Sequence, residues 1–337
     1  MLNHSSAGGR GIVVGDSGTK LSMTKCKISV PNQCISCTAG LVIANYCEFV
    51  CSGIAMRGSS VNSSFDIANS TFNLETDSSM GISSSHGHKT SLCDCSFVNG
   101  MCGMMTDSEA ICEIKNTNFT GCKFGCRSRD SILKLSNCKM HDCQKCVYSF
   151  GSKGKVHAKD SRFEKIAHNC FECVSESCIV LERCTIENSA NCVIKATACG
   201  NMSLTDCKFE NCNAKVSVAT GGSTIKITSC HFNSLSGNGF DFNDNSVGFL
   251  ENVIFQCCSG IGIQLKDSKL YMVSSHMSTI LSHCVLCNSG SLIEANRCLF
   301  EFYNGYSIAQ ELIDGTIVSV ADSLEFNNIK AIDCFFQ

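Results

Sequence analysis

Paired thiols two residues apart hold zinc or carry redox exchange, and this chain has four such pairs: Cys34/Cys37, Cys143/Cys146, Cys170/Cys173 and Cys284/Cys287. None lies in a strand–helix–strand setting whose helix N-terminus would lower a thiol pKa, so a redox site is not expected. The densest metal-like grouping is His86, His88, Cys93 and Cys95, four possible ligands within ten residues. Cys95, however, falls at a position that recurs as part of the core, so no metal and no other cofactor is expected. The segment Gly239-Phe240-Asp241-Phe242-Asn243-Asp244 sets two carboxylates three residues apart. Paired carboxylates can hydrolyse a glycosidic bond, but an Asp in a strand beside a turn-forming Asp is the plainer reading. Five Asn-x-Ser/Thr sequons, at Asn3, Asn62, Asn69, Asn118 and Asn201, complete the motifs.

Basic charge is concentrated in one stretch. Residues 123–165 carry eleven Lys or Arg against four acids, whereas residues 233–337 carry four against eleven, in a chain whose formal net charge is −3. Lys139 and Arg162 stand 23 residues apart, and Arg127, Arg129, Lys155 and Lys159 surround them in sequence. These six form a candidate basic face for an acidic protein partner or a second copy of the chain. No acid or His is expected beside Lys139 and Arg162. Nucleic acid is not expected as a partner, nor is a small-molecule substrate. With no Trp and only five Tyr, the chain offers little for stacking on sugar rings.

What must position these residues is a repeat. The pattern apolar-x-apolar-x-x-small-x-large, clearest in Met202-Ser203-Leu204-Thr205-Asp206-Cys207-Lys208-Phe209, recurs from Cys26 to Cys298 in steps of 21 to 25 residues. Period-two alternation marks strands, and three short strands fill each repeat without room for a helix. Two residues after each small anchor stands a large apolar residue, such as Phe49, Phe72, Phe97 and Phe119, which predicts an internal stacked ladder. One residue before the anchor, Asn or Asp recurs, as at Asn69, Asp94 and Asn116, which predicts a left-handed backbone turn. Most anchors are Cys. They are read as small, reduced, buried hydrophobes, stacked from coil to coil with their Cβ vectors too nearly parallel for disulfides.

These residues predict an all-β fold: a right-handed parallel β-helix, or solenoid, of about thirteen to fourteen coils with ~23 residues in each. One domain spans 1–337, with regular coils over about 11–302 and an irregular C-terminal coil or cap over 303–337. No apolar run approaches the length of a membrane-spanning helix, and the first residues lack the apolar core of a secretory leader. The chain is therefore expected in the cytoplasm.

The run of Asp/Asn-Cys-x-Phe coils resembles the right-handed parallel β-helix, or pectin-lyase-like, superfamily over nearly the whole chain, and is closest to its Cys-rich intracellular members without enzymatic activity. That resemblance implies a non-catalytic scaffold or protein-interaction module within a larger assembly, and no enzyme. Polygalacturonase-like members of the superfamily carry Asn-Thr-Asp, Asp-Asp, Gly-His-Gly and Arg-Ile-Lys segments, all missing here, and lyase-like members bind calcium through an acidic cluster, whereas the acids here are scattered singly. The alternative is a carbohydrate-active or carbohydrate-binding member.

Overall fold

The computed structural model describes residues 2–3, 10–212, 215–288 and 290–302, with short pieces at 308–311, 317–319, 329–332 and 334–336. Every regular element among them is a strand, and the chain packs as two compact units, Met1–Ala167 and His168–Gln337. Each unit is wound from three parallel sheets, because every third strand pairs with the one a full turn later.

In the first unit, one turn runs through Ser96–Val98 in a first sheet, Cys102–Asp107 in a second and Ile111–Lys115 in a third. The next turn places Asn118–Thr120, Phe124–Arg129 and Ile132–Ser136 beside them, in register and parallel. The second unit repeats the scheme, for example with Lys208–Glu210, Ser217–Ala219 and Thr224–Thr228. Of the expected C-terminal coil or cap, much lies outside the described residues. The described pieces extend the sheets: Ile308–Glu311 pairs in parallel with Val285–Asn288 and antiparallel with Ile317–Ser319.

The aromatic ladder forms as the spacing predicts. Phe49, Phe72, Phe97 and Phe119 stack at centroid distances of 4.8, 4.4 and 4.9 Å. In the second unit Phe209, Phe232 and Phe255 stack at 4.4 and 5.0 Å. All seven are buried, and each contributes about 1.5–3 kcal/mol of burial relative to solvent. Glycines of the second sheet leave room for the rings: a Cβ at Gly103 would stand 2.5 Å from Phe119.

The corner before the first sheet has the backbone that the Asn and Asp residues foretell. All thirteen residues preceding an anchor have φ between 48° and 54°, including Lys25, Tyr46 and Arg183, which lack the short carbonyl side chain that eases this region. The register, repeated coil after coil, therefore overrides local preference at those sites.

The anchor cysteines are free thiols and, Cys26 apart, buried, as the sequence predicts, and the structure adds a hydrogen-bonding role to them. The Cys138 thiol donates to the Ser136 carbonyl at 3.5 Å, and the Ser161 hydroxyl, one coil on, donates to the Lys159 carbonyl at 2.8 Å. In turn the Cys138 N–H donates to the Ser161 hydroxyl at 3.1 Å. The same relay joins Cys47 to Ser70, and Cys207 to Cys230, whose thiol accepts the Cys207 N–H at 3.3 Å. Each corner uses a small side chain that both donates and accepts, which is why Cys, Ser and Thr interchange there. At Cys95 and Cys138 burial dominates the acidity and pushes both thiols up to about 11.

Candidate functional site

Because strand residues alternate, the fold commits one set to the core and leaves the outward set free. On the second sheet of the first unit, the outward row runs Arg57, Ser83, Met105, Arg127, Tyr148 in successive coils. Flanking rows pair Phe124 with Lys145, and Asp107 with Arg129 and then Phe150. The result is a cluster of outward rings and cations. The Arg127 guanidinium lies 5.2, 5.7 and 6.0 Å from the ring centres of Phe150, Tyr148 and Phe124. The Lys145 ammonium stands 5.3 Å from the Tyr148 ring, and the Tyr148 and Phe150 rings are 5.2 Å apart. Arg129 lies 5.9 Å from the Phe150 ring and forms an ion pair with Asp107. Partial burial works against ionisation of Asp107, but Arg129 and the Ser108 hydroxyl outweigh it and hold the carboxyl below its usual range. Such stacks are attractive in themselves, and they fix the cations over apolar ring faces.

The six basic residues singled out in the sequence thus divide among three faces. Arg127 and Arg129 belong to this cluster, Lys155 and Lys159 to a strand of the third sheet, and Lys139 and Arg162 to the first sheet as direct register partners. A correction applies to the last pair. The same register sets His141 against Glu164, and the Glu164 carboxylate lies 3.6 Å from both Lys139 and Arg162 and 3.7 Å from His141. His141 also meets Asp142 at 2.8 Å. Desolvation opposes ionisation of Glu164, but Arg162, Lys139 and His141 outweigh it and lower its pKa. An acid and a His therefore do stand beside the two cations. The signal was in the sequence, since the 23-residue step from Lys139 to Arg162 also carries His141 to Glu164.

The outward rings were missed for a similar reason. Counting aromatics gives their number, and only the register separates Phe124, Tyr148 and Phe150 from the inward ladder. In the second unit another outward pair, Phe249 and Tyr271, stacks at 5.1 Å on the third sheet.

The remaining candidates come apart. His88 is wholly buried, with Nδ1 2.6 Å from the Ser63 hydroxyl and Nε2 without a partner, whereas His86 is exposed in the preceding turn. Among the described residues no group of three or more His, Cys, Asp or Glu is placed to hold a metal ion. All eight Cys-x-x-Cys thiols are buried, out of reach of a redox partner. Asp241 is buried and ion-paired with Lys215, while Asp244 is exposed in a turn, so these two do not form a facing pair. Glu172 is likewise buried, 3.3 Å from Lys195. Glu172 and Asp241 are three strands apart in one row, or about 14 Å at the usual strand spacing, beyond the reach of the two carboxylates of a glycosidase.

Three parallel sheets wound in turns of one repeat define a right-handed β-helix. Residues 52–201 match the family model for a right handed beta helix region, and the expected pectin-lyase-like architecture holds. No curated protein matches the chain. Among solved structures, the catalytic unit of a GH87 α-1,3-glucanase from Streptomyces thermodiastaticus is similar at 8% identity and a TM-score of 0.57, covering 94% of this chain and 63% of its own. The periplasmic alginate epimerase AlgG, as a double mutant, is similar at 11% identity and a TM-score of 0.49, covering 81% and 76%. Identities this low show a shared fold. They nevertheless correct two expectations, the non-catalytic scaffold and the statement that the chain is no enzyme. The glucanase catalytic unit shares this winding, so the fold by itself does not set the chain apart from enzymes.

Proposed function

We propose that the chain is a carbohydrate-active or carbohydrate-binding β-helix protein that holds an extended, acidic polysaccharide on the second sheet of its first unit. The observation that carries this reading is the outward cluster of Phe124, Tyr148 and Phe150 with Arg127, Arg129 and Lys145. Ring faces suit the apolar faces of sugars, and guanidinium and ammonium groups suit carboxylate or sulfate substituents. Strands about 4.8 Å apart repeat at close to the length of one sugar unit, so a polymer lying across the strands meets one strand per sugar. The likeness in fold to a glucanase catalytic unit supports the same class of ligand.

The test is affinity electrophoresis of the full chain through gels containing neutral or acidic polysaccharides, with polymer length followed after incubation. Retardation by an acidic polymer, weakened in Tyr148→Ala and Arg127→Ala, is the expected result. Shortening or chemical alteration of the polymer would identify an enzyme, and its absence a binding protein. Free migration through every polymer overturns the proposal.

A further inference from the structure

The sequon at Asn62 and the exposed turn that carries it are used by nothing described so far. Asn62 lies in the turn between the second and third sheets, closed by a hydrogen bond from the Ser63 N–H to the Ser60 carbonyl at 3.1 Å. The backbone of Asn62 is occupied: its N–H donates to the Ser60 hydroxyl at 3.2 Å, and its carbonyl accepts from Gly40 at 2.8 Å. Its side chain is exposed, and the amide makes no hydrogen bond among the described residues. The other sequons differ. The Asn69 amide donates to Asn45 at 3.1 Å and the Asn201 amide to the Cys199 carbonyl at 3.2 Å. Asn118 stands within a strand, with Ser96 and Lys139 in register on either side, where a branched substituent would crowd both neighbours. The side chain of Asn3 is not among those described.

A second observation points to what covers this turn. Val61, next to Asn62, is 68% exposed, more than any other large apolar side chain among the described residues. From Val61 a cleft of about 550 Å³ runs along the stacked turns past His86, Gly87, Ser108 and Glu109 to Lys153. An apolar side chain left in water beside an open cleft, whose lining includes Ser108, Glu109, Ser152 and Lys153, is the setting in which the first sugars of an attached glycan find both an apolar face to cover and hydrogen-bond partners.

We infer that Asn62 is an N-glycosylation site whose first sugars lie over Val61 in this cleft. The donor is a lipid-linked oligosaccharide pyrophosphate. The Asn62 Nδ2 forms a bond to the C1 carbon of the first sugar, the bond from C1 to the pyrophosphate oxygen breaks, and the amide releases one proton. The modification places the chain in the secretory pathway in place of the expected cytoplasm. It is independent of what the outward rings bind.

The experiment is peptide mapping by mass spectrometry of the full chain purified from the cells that make it, before and after treatment with peptide N-glycosidase. The expected result is a glycopeptide at Asn62 that the enzyme converts to an Asp-containing peptide, with Asn69 and Asn201 unmodified. Asn62→Gln, a change confined to an exposed side chain, should fold with an unchanged melting temperature and lack that glycoform. An unmodified Asn62 peptide, or glycan only at other sequons, overturns the inference.

Discussion

The second sheet presents two different outer faces in the two units. In the first unit its outward row holds Met105, Arg127 and Tyr148, all partly open to solvent, with Phe124, Lys145 and Phe150 alongside. In the second unit the corresponding row runs Glu172, Lys195, Val218, Asp241, Gln264 and Leu286, and both acids are buried, each under a half-exposed lysine. Asn169 and Asn238, each three residues before its acid, add hydrogen bonds at 3.2 and 3.5 Å. Winding, register and inward ladder are the same in both. The fold thus leaves the outward row unconstrained, and what differs there reflects use: the first unit keeps cations and rings accessible, while the second commits its charges to holding its own chain together.

The contrast is broken most directly in the second unit. Lys215→Ala would leave the Asp241 carboxylate buried with only Asn238 to answer it, and losing one partner of a buried pair is costly. Because Lys215 is half exposed, the expected loss is about 2–3 kcal/mol, at the low end for such pairs. Lys145→Ala, in the first unit, should cost less than about 1 kcal/mol, since its ammonium lies over the outward Tyr148 ring at the surface. Equal losses in urea melts would show that the two faces are not built differently.

A second difference lies inside the first unit. His88 is the only wholly buried histidine among the described residues, and burial lowers its pKa from 6.5 to about 4. The neutral ring is the form that fits the fold, so above about pH 6.5 it contributes no pH dependence. As the pH falls from 6.5 towards 4, the unfolded chain takes up a proton that the folded chain refuses, and stability drops by up to about 3 kcal/mol before levelling off. In His88→Asn that slope, followed by chemical denaturation between pH 7 and pH 4, should disappear. Persistence of the slope would assign it to other groups.

How much of this was legible in the sequence depends on which side of a strand a residue faces. The ladder from Phe49 to Phe119 and the turn residues from Asn69 to Asp206 could be read directly, because one repeated environment selects one residue type again and again. The outward residues face no common environment, so no pattern marks them. Sequence proximity then misled: eleven cations between residues 123 and 165 look like one band, but two turns of the winding spread them over three faces. Pairing by the coil step would have joined His141 to Glu164, 23 residues on, and Arg127 to Tyr148, 21 residues on. It would not have told that Asp241 is covered, which depends on how the corner bearing Lys215 and Asn238 packs.

The ligand reading depends on the accessible face alone. Tyr148→Ala removes one of the three rings and one face of the Arg127 stack, and the expected effect on binding of an acidic polysaccharide is about 1 kcal/mol, or roughly fivefold. Arg127→Ala should lose a similar amount and also flatten the dependence on salt, because a charge is removed. Leu286→Ala, in the other row, should leave binding unchanged in retardation assays. A loss there equal to that of Tyr148→Ala would mean that the second unit's face binds as well.

The smallest effect is expected where the two units are alike. At the corner, Cys207 donates to the Thr205 carbonyl at 3.3 Å, and its N–H donates to the Cys230 thiol at 3.3 Å. Ser occupies the equivalent position at Ser70 and Ser161, donating to the equivalent carbonyls at 2.7 and 2.8 Å, so a hydroxyl at this corner has its partner already in place. Cys207→Ser should therefore change stability by less than about 0.5 kcal/mol, despite full burial, because the new donor is satisfied. Cys207→Val replaces the thiol by two methyl groups, adds a little volume and loses the hydrogen bond. It should cost about 1 kcal/mol, tempered by the fact that Val253 stands natively at one such corner. The order of the two variants decides between the two roles: a small hydrophobic plug would favour Val over Ser, and a hydrogen-bonding corner favours Ser over Val. Thermal melts in which Cys207→Val proves more stable than Cys207→Ser would return the anchors to the role of plain hydrophobes, in both units at once.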